Sequence, residues 1–143
     1  LQQRDAESLL APATLGRFYD PNRSYFGPPH ASSTGVYLEG LIEAFWLARE
    51  MEDTARARRY QEAIVLGLRS LLQLQFENEV DMFYVGDRNR VRGALRTTVY
   101  DNEIRVDNVQ HALKATWRIL EVFEPTDYAI VRRDSRPSEK AAP

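Results

Sequence analysis

Two stretches of the chain carry one pattern. Gly35 to Leu47 and Val106 to Arg118 align without a gap when Trp46 is laid on Trp117, and Glu39 then falls on Gln110, Ala44 on Ala115 and Glu50 on Glu121. A largely apolar helix entered through a polar loop is thus used twice. One such helix cannot bury its apolar surface alone, so the repeat predicts a stacked helical array with a cleft where its inner helices begin.

The 143 residues amount to one domain, which on folding alone removes roughly 70% of its unfolded surface from water. A hydrophobic content of 43% suits a globular core. The formal charge of −2 provides no general attraction to nucleic acid or membrane. Arginine supplies 17 of the 19 basic residues, a bias that genome composition explains more readily than a need for bidentate anion contacts. The absence of cysteine excludes disulfides, thiol chemistry and cysteine-ligated zinc, and leaves the compartment open. No apolar run reaches the roughly 20 residues of a membrane span. The opening at Leu1, without an initiator methionine, is expected of a processed, truncated or fragmentary chain.

Residues 16–34 are rich in Gly, Pro, Asn and Ser but carry Phe18, Tyr19, Tyr25 and Phe26, which predicts a long loop packed on something rather than a solvated linker. Ser32, Ser33 and Thr34 offer caps for a helix from about Gly35 to Glu50, apolar nearly all round and therefore an inner one. Met51 to Asp53 is a tight link with Asp53 as the next cap. The amphipathic stretch from Thr54 to about Phe76 is an outer helix, and the two make an antiparallel hairpin. The helical period is lost over 77–104, where Met82 to Val85 and Leu95 to Tyr100 predict a short β-like excursion near 80–100. A third helix runs from about Arg105 or Val106 to Phe123 and is stopped by Pro125.

Inner helix, tight turn, outer helix, long polar loop, inner helix is an order that resembles the six-hairpin glycosidase-like superfamily of α/α toroids. The residues carrying the resemblance are Phe18-Tyr19-Asp20, Pro29 to Leu41 and Ile104 to Leu113. It implies an all-α fold of antiparallel helical hairpins, a partial toroid over residues 1–124; the tail over 125–143, almost without apolar residues from about Arg132, is by its composition expected to be partly disordered. Three or four helices cannot close a ring of twelve, so the remainder of the toroid is expected on missing residues or another chain. Toroids host several chemistries. The resemblance implies a carbohydrate-directed domain, glycoside hydrolase or sugar epimerase-like, or else a non-catalytic module that completes a larger assembly.

By that resemblance the site lies at the leading ends of the inner helices. Candidate acid/base residues are Glu39, Asp101, Glu103, Asp107 and His111; candidate substrate contacts are His30, Tyr37, Arg105, Asn108, Gln110, Tyr19 and Tyr25. Glu39 interrupts an apolar face, so it needs either a partner, such as a salt bridge to a loop arginine, or a raised pKa, and both readings stay open. Asp107 and His111 are one helical turn apart, suited to an acid/base dyad or to a structural bond. Glycoside hydrolysis uses two carboxylates, roughly 5 or 6.5–9.5 Å apart, and Glu39 with Asp101, Glu103 or Asp107 is the available set. Arg88, Arg90 and Arg92 alternate, so a strand would point them to one face, toward an acidic polysaccharide or simply toward water. Two histidines without the His-Glu-x-x-His spacing argue against catalytic zinc, and no phosphate loop or dinucleotide fingerprint is present, so neither metal nor cofactor is expected.

Overall fold

The computed structural model describes residues 1–4, 15–19, 22 and 30–129. Its elements are α1 (Ala31–Glu50), α2 (Thr54–Leu72), a single-turn α3 (Arg88–Val91), α4 (Val106–Val122) and a 3-10 turn at Pro125–Tyr128. The described residues are therefore all-α, with helical-hairpin character.

α1 begins four residues earlier than its serines and threonine suggest. His30, in extended conformation, is the N-cap: its Nδ1 accepts from Ser33 N at 3.5 Å, and the Ser33 hydroxyl donates back to the His30 carbonyl at 2.9 Å. Ser32, Ser33 and Thr34 lie inside the first turn. At the other end the chain reverses at Glu52, whose φ of 56° is in the left-handed region. Asp53 then caps α2 by accepting from Arg56 N at 3.0 Å, as its position before the amphipathic run predicts.

α1 is the central element, packed on α2 along one side and on α4 along another. Leu38, Ile42 and Phe45 from α1, Ile64 and Leu71 from α2, and Ala112, Ala115 and Ile119 from α4 form the core. Burying each large aliphatic contributes roughly 1.5–3 kcal/mol before chain entropy is counted. α1 and α4 run parallel. Contacts step along both chains together, from Gly35 against His111, through Glu43 with Arg118, to the rings of Phe45 and Phe123 with centroids 4.9 Å apart. The approach is closest at Gly35, where a Cβ would lie 2.8 Å from His111 Cβ and 2.9 Å from Ala112 N.

The β-like excursion does not form. Among the described residues 73–105 contain no strand, only an isolated antiparallel bridge between Gln75 and Leu95. Side chains divert the backbone into turns: Asn78 Oδ1 accepts from Val80 N and Asp81 N, and Asp81 Oδ2 accepts from Glu77 N and Asn78 N. Met82, fully buried, plugs the loop from beneath. Arg88 and Arg90 belong to α3, so the alternating arginines share no strand face, and Arg88 pairs with Glu79. The residues that follow α4 are held against the helices. Asp127 binds Arg49 at 3.0 Å, its carbonyl accepts from Gln61 at 2.8 Å, and Tyr128 packs edge-on against Phe123. Residues 130–143 lie outside the described residues.

The packing at the two α1 glycines predicts opposite effects of one substitution. Gly35→Ala forces α1 and α4 apart and is expected to cost about 1–3 kcal/mol, the range for overpacking. Gly40 has open space around its missing Cβ. Gly40→Ala in mid-helix is expected to stabilise by about 0.5–1 kcal/mol. Urea unfolding of both variants beside the parent checks the pair.

Candidate functional site

Because α1 and α4 are parallel, their N-terminal ends open side by side. A buried polar core ties these ends together: Asn108 Oδ1 accepts from Ser32 N at 3.2 Å, and its Nδ2 donates to Thr97 Oγ1 at 2.8 Å. Thr97 Oγ1 in turn donates to the Glu103 carbonyl at 2.8 Å, and Ala31 N donates to the Thr97 carbonyl. The α1 cap, the loop before α4 and the first turn of α4 are thus one hydrogen-bonded unit. Asn108 has no exposed surface, so it builds this mouth and is not open to a substrate.

Around that unit sit the charged groups. Arg105 grips Asp107 through two bonds, Nε to Oδ1 and Nη2 to Oδ2, both 3.0 Å. That guanidinium, helped by the backbone of Asn108 and the Ser32 hydroxyl, holds Asp107 below the usual carboxylate range against the opposing effect of partial burial. His30 is half-buried beside the pair; burial and then Arg105 push its imidazole down, with Asp107 pulling the other way. Asp101 and Glu103 lie exposed in the preceding turn, where Asp101 Oδ1 accepts from Glu103 N at 2.9 Å.

The Asp107 and His111 dyad does not form. Asp107 is taken by Arg105, while His111 Nδ1 lies 2.8 Å from Glu39 Oε1, across the α1–α4 seam. Lys114 completes the set, its Nζ 2.9 Å from Glu39 Oε2. Burial alone raises the Glu39 carboxyl, but the bonds from Lys114 and His111 outweigh it and leave the group below its ordinary value. An ionised carboxylate only accepts, so His111 Nδ1 carries the proton. Glu39 therefore has a cationic partner, Lys114, and a hydrogen-bond donor, His111, on the neighbouring helix rather than a raised pKa. Further along the seam Arg118 forks onto Glu43 at 2.7 and 3.2 Å.

The remaining candidates scatter. Tyr37 is half-exposed and stacks on Phe18 at 4.9 Å, and Tyr19 is held by backbone bonds to Leu1 in both directions. Gln110 is exposed on α4, in a shallow cleft it shares with Glu43 of α1. Tyr25 lies outside the described residues. No group of three or more metal-ligating side chains comes together among the described residues, and no described helix is long and apolar enough to cross a membrane. Arg17 went unnoticed in the sequence. It is 1% exposed, and its Nε and Nη2 find no hydrogen-bond acceptor among the described residues. Nothing in its flanking residues marks it as buried.

The two tryptophans that anchor the repeat are not core residues: Trp46 is 45% and Trp117 65% exposed. Laying one repeat on the other explains why. α4 faces α1 through Asn108, His111 and Ala115, whose repeat equivalents on α1 are Tyr37, Gly40 and Ala44; Tyr37 and Gly40 are exposed and Ala44 is half-buried. α1 faces α4 through Gly35, Glu39 and Glu43, whose equivalents on α4 are Val106, Gln110 and Lys114, all exposed. Comparison of the chain with family models, with curated proteins and with solved structures finds no match.

The Glu39 cluster predicts acid sensitivity of a definite sign. A carboxylate whose folded pKa is depressed contributes stability above its unfolded value of about 4.3 and loses it as pH falls through the folded value. Glu39→Gln is expected to lower stability near pH 7 by about 1 kcal/mol, the size of a partly screened charge-assisted bond. The same variant is expected to flatten the drop between neutral and acid pH. Urea midpoints at pH 7 and pH 3 measure both effects, and equal drops in variant and parent would contradict the assignment.

Proposed function

We propose that the chain is an assembly module: a segment of helical wall that associates head-to-tail with another segment of the same kind. One observation carries the reading. Each face that α1 and α4 use to hold one another has a repeat equivalent on the other helix that is largely exposed, with Tyr37, stacked on Phe18, and Lys114, paired with Glu39, already engaged. A heterologous contact of this type propagates, because the free edge after each addition is the same as before, and it ends only in a closed ring or a cap. Gly40 and Ala44 leave the α1 edge low enough for close approach, as Gly35 does at the existing seam. Exposed Leu47 at one edge and Trp117 and Leu113 at the other add apolar area that water disfavours.

Head-to-tail association has a distinctive test. Gly40→Arg obstructs the α1 edge and Trp117→Arg the α4 edge. Each variant alone is expected to sediment as a monomer at about 100 μM, whereas the parent associates. An equimolar mixture of the two is expected to form a one-to-one dimer, since each keeps the edge the other lacks. A mixture that stays monomeric, or single variants that associate as the parent does, would defeat the proposal.

A second reading has its own support in the shared mouth. His30, the Arg105–Asp107 pair and the exposed Asp101 and Glu103 surround the N-termini of two parallel helices, where the aligned helix dipoles favour anionic or hydroxyl-rich ligands. This suits a carbohydrate-directed site that binds or processes a polysaccharide. With their pKa values depressed, Glu39 and Asp107 are ionised near neutrality, so either acts as a base or an anchor and neither as the proton donor. Asp107→Asn is expected to weaken binding of a neutral polysaccharide at least about tenfold in calorimetric titration, in line with loss of a charge-assisted hydrogen bond. Unchanged affinity would remove this reading.

A further inference from the structure

On the flank of α1 opened to solvent between α2 and α4 lies a groove of about 560 Å³. α2 and α4 form its two walls, Val65, Leu68 and Leu72 on one side and Val109, Leu113 and Leu120 on the other, and its lining is apolar apart from a few polar groups. Arg69 is the one charged residue that lines it among the described residues. This surface shares Leu113 with the α4 edge through which the wall is proposed to grow, and its other lining residues lie off both edges.

The repeat says what belongs there. On α1, α2 lies over Leu38, which touches the open side of Gly67, and over Phe45 and Arg49, which share a cleft with Ala57 and Gln61. The equivalents of Leu38, Phe45 and Arg49 on α4 are Val109, Thr116 and Leu120. All three line the groove. The face that α1 gives to α2 is therefore present on α4, more apolar at the Arg49 position and uncovered.

We propose that the groove is the seat of an amphipathic helix of the α2 kind, lying antiparallel to α4 and beside α2. Its apolar stripe enters between Val109, Thr116 and Leu120, with a small residue against Val109 as Gly67 meets Leu38. An acidic side chain on its polar side, as Glu62 is in α2, meets Arg69 at the rim. Recognition is helix-in-groove, through anchors at i, i+3, i+4 and i+7. The inference rests on the assembly reading for its repeat logic but names a different surface and a different partner element.

The probe is a synthetic peptide of residues 54–76, the chain's own example of such a helix, titrated into the isotope-labelled full chain. Expected are saturable amide shifts at Val109, Leu113, Thr116 and Arg69 below about 1 mM peptide, absent with a scrambled peptide. Thr116→Arg, which fills the groove from an only partly buried position, is expected to weaken binding at least about tenfold without loss of the parent's helical spectrum. No shifts to that concentration, equal shifts with the scrambled peptide, or shifts confined to Gln110 and Lys114 would overturn the proposal. The mixed Gly40→Arg and Trp117→Arg experiment reports separately on the edges: a dimer there with no peptide binding discards the groove helix alone, and failure of both discards the two together.

Discussion

The close parallel approach of α1 to α4 is the constraint on which the rest depends. It requires the absence of a side chain at Gly35, because His111 and the α4 backbone occupy the place a Cβ would take. With the backbones that near, Asn108 reaches the first turn of α1, Glu39 reaches His111 and Lys114, and Arg118 reaches Glu43. The seam is thus polar at its edges and apolar at its centre. The interior supplies adhesion, and the hydrogen bonds, costly to leave unmade, set the register.

Parallel neighbours joined through a long connection create a directional wall. Both helix N-termini face the same way, which gathers caps, loop carboxylates and the Arg105–Asp107 pair at one end and leaves the opposite end to the Arg49–Asp127 contact and the packed turn at Pro125–Tyr128. The connection itself is held by short-range devices. Asn78 and Asp81 tie their own turns, Met82 fills the space below, and Arg96 lies over the Phe76 ring at 5.2 Å and against Asp81 at 3.5 Å. A loop so anchored can present Asp101 and Glu103 in one position without a sheet beneath it.

The open apolar faces of α1 and α4 follow from the same geometry. A helix that will have neighbours on several sides is apolar around most of its circumference, and the pattern does not reveal which neighbours a given chain contains. Val36, Leu47, Leu113, Trp117 and Leu120 read as core in one dimension and are exposed in three. Large apolar side chains left to water in this number are the surface that a partner removes from solvent. That mismatch links the fold to both proposals.

Sequence alone determined the helices and their order. Apolar spacing, the Asp53 cap and Pro125 act within a few residues, so the α1–α2 hairpin and α4 were legible, and the repeat about Trp46 and Trp117 pointed to equivalent helices. It also picked out Glu39 and the mouth residues as a group. Only the tertiary structure decided the partners. Asp107 and His111 share a helix turn, yet each bonds elsewhere, because Arg105 approaches along the backbone and Glu39 across the seam. Asn108, chosen as a ligand contact, became a buried strut; His30 displaced the serines as cap; and side-chain turns replaced the hairpin near 80–100. Local signals specify what a segment is, through interactions that reach one turn. Which groups meet across a seam depends on how closely two backbones pack, and that distance is set by residues far apart in the chain.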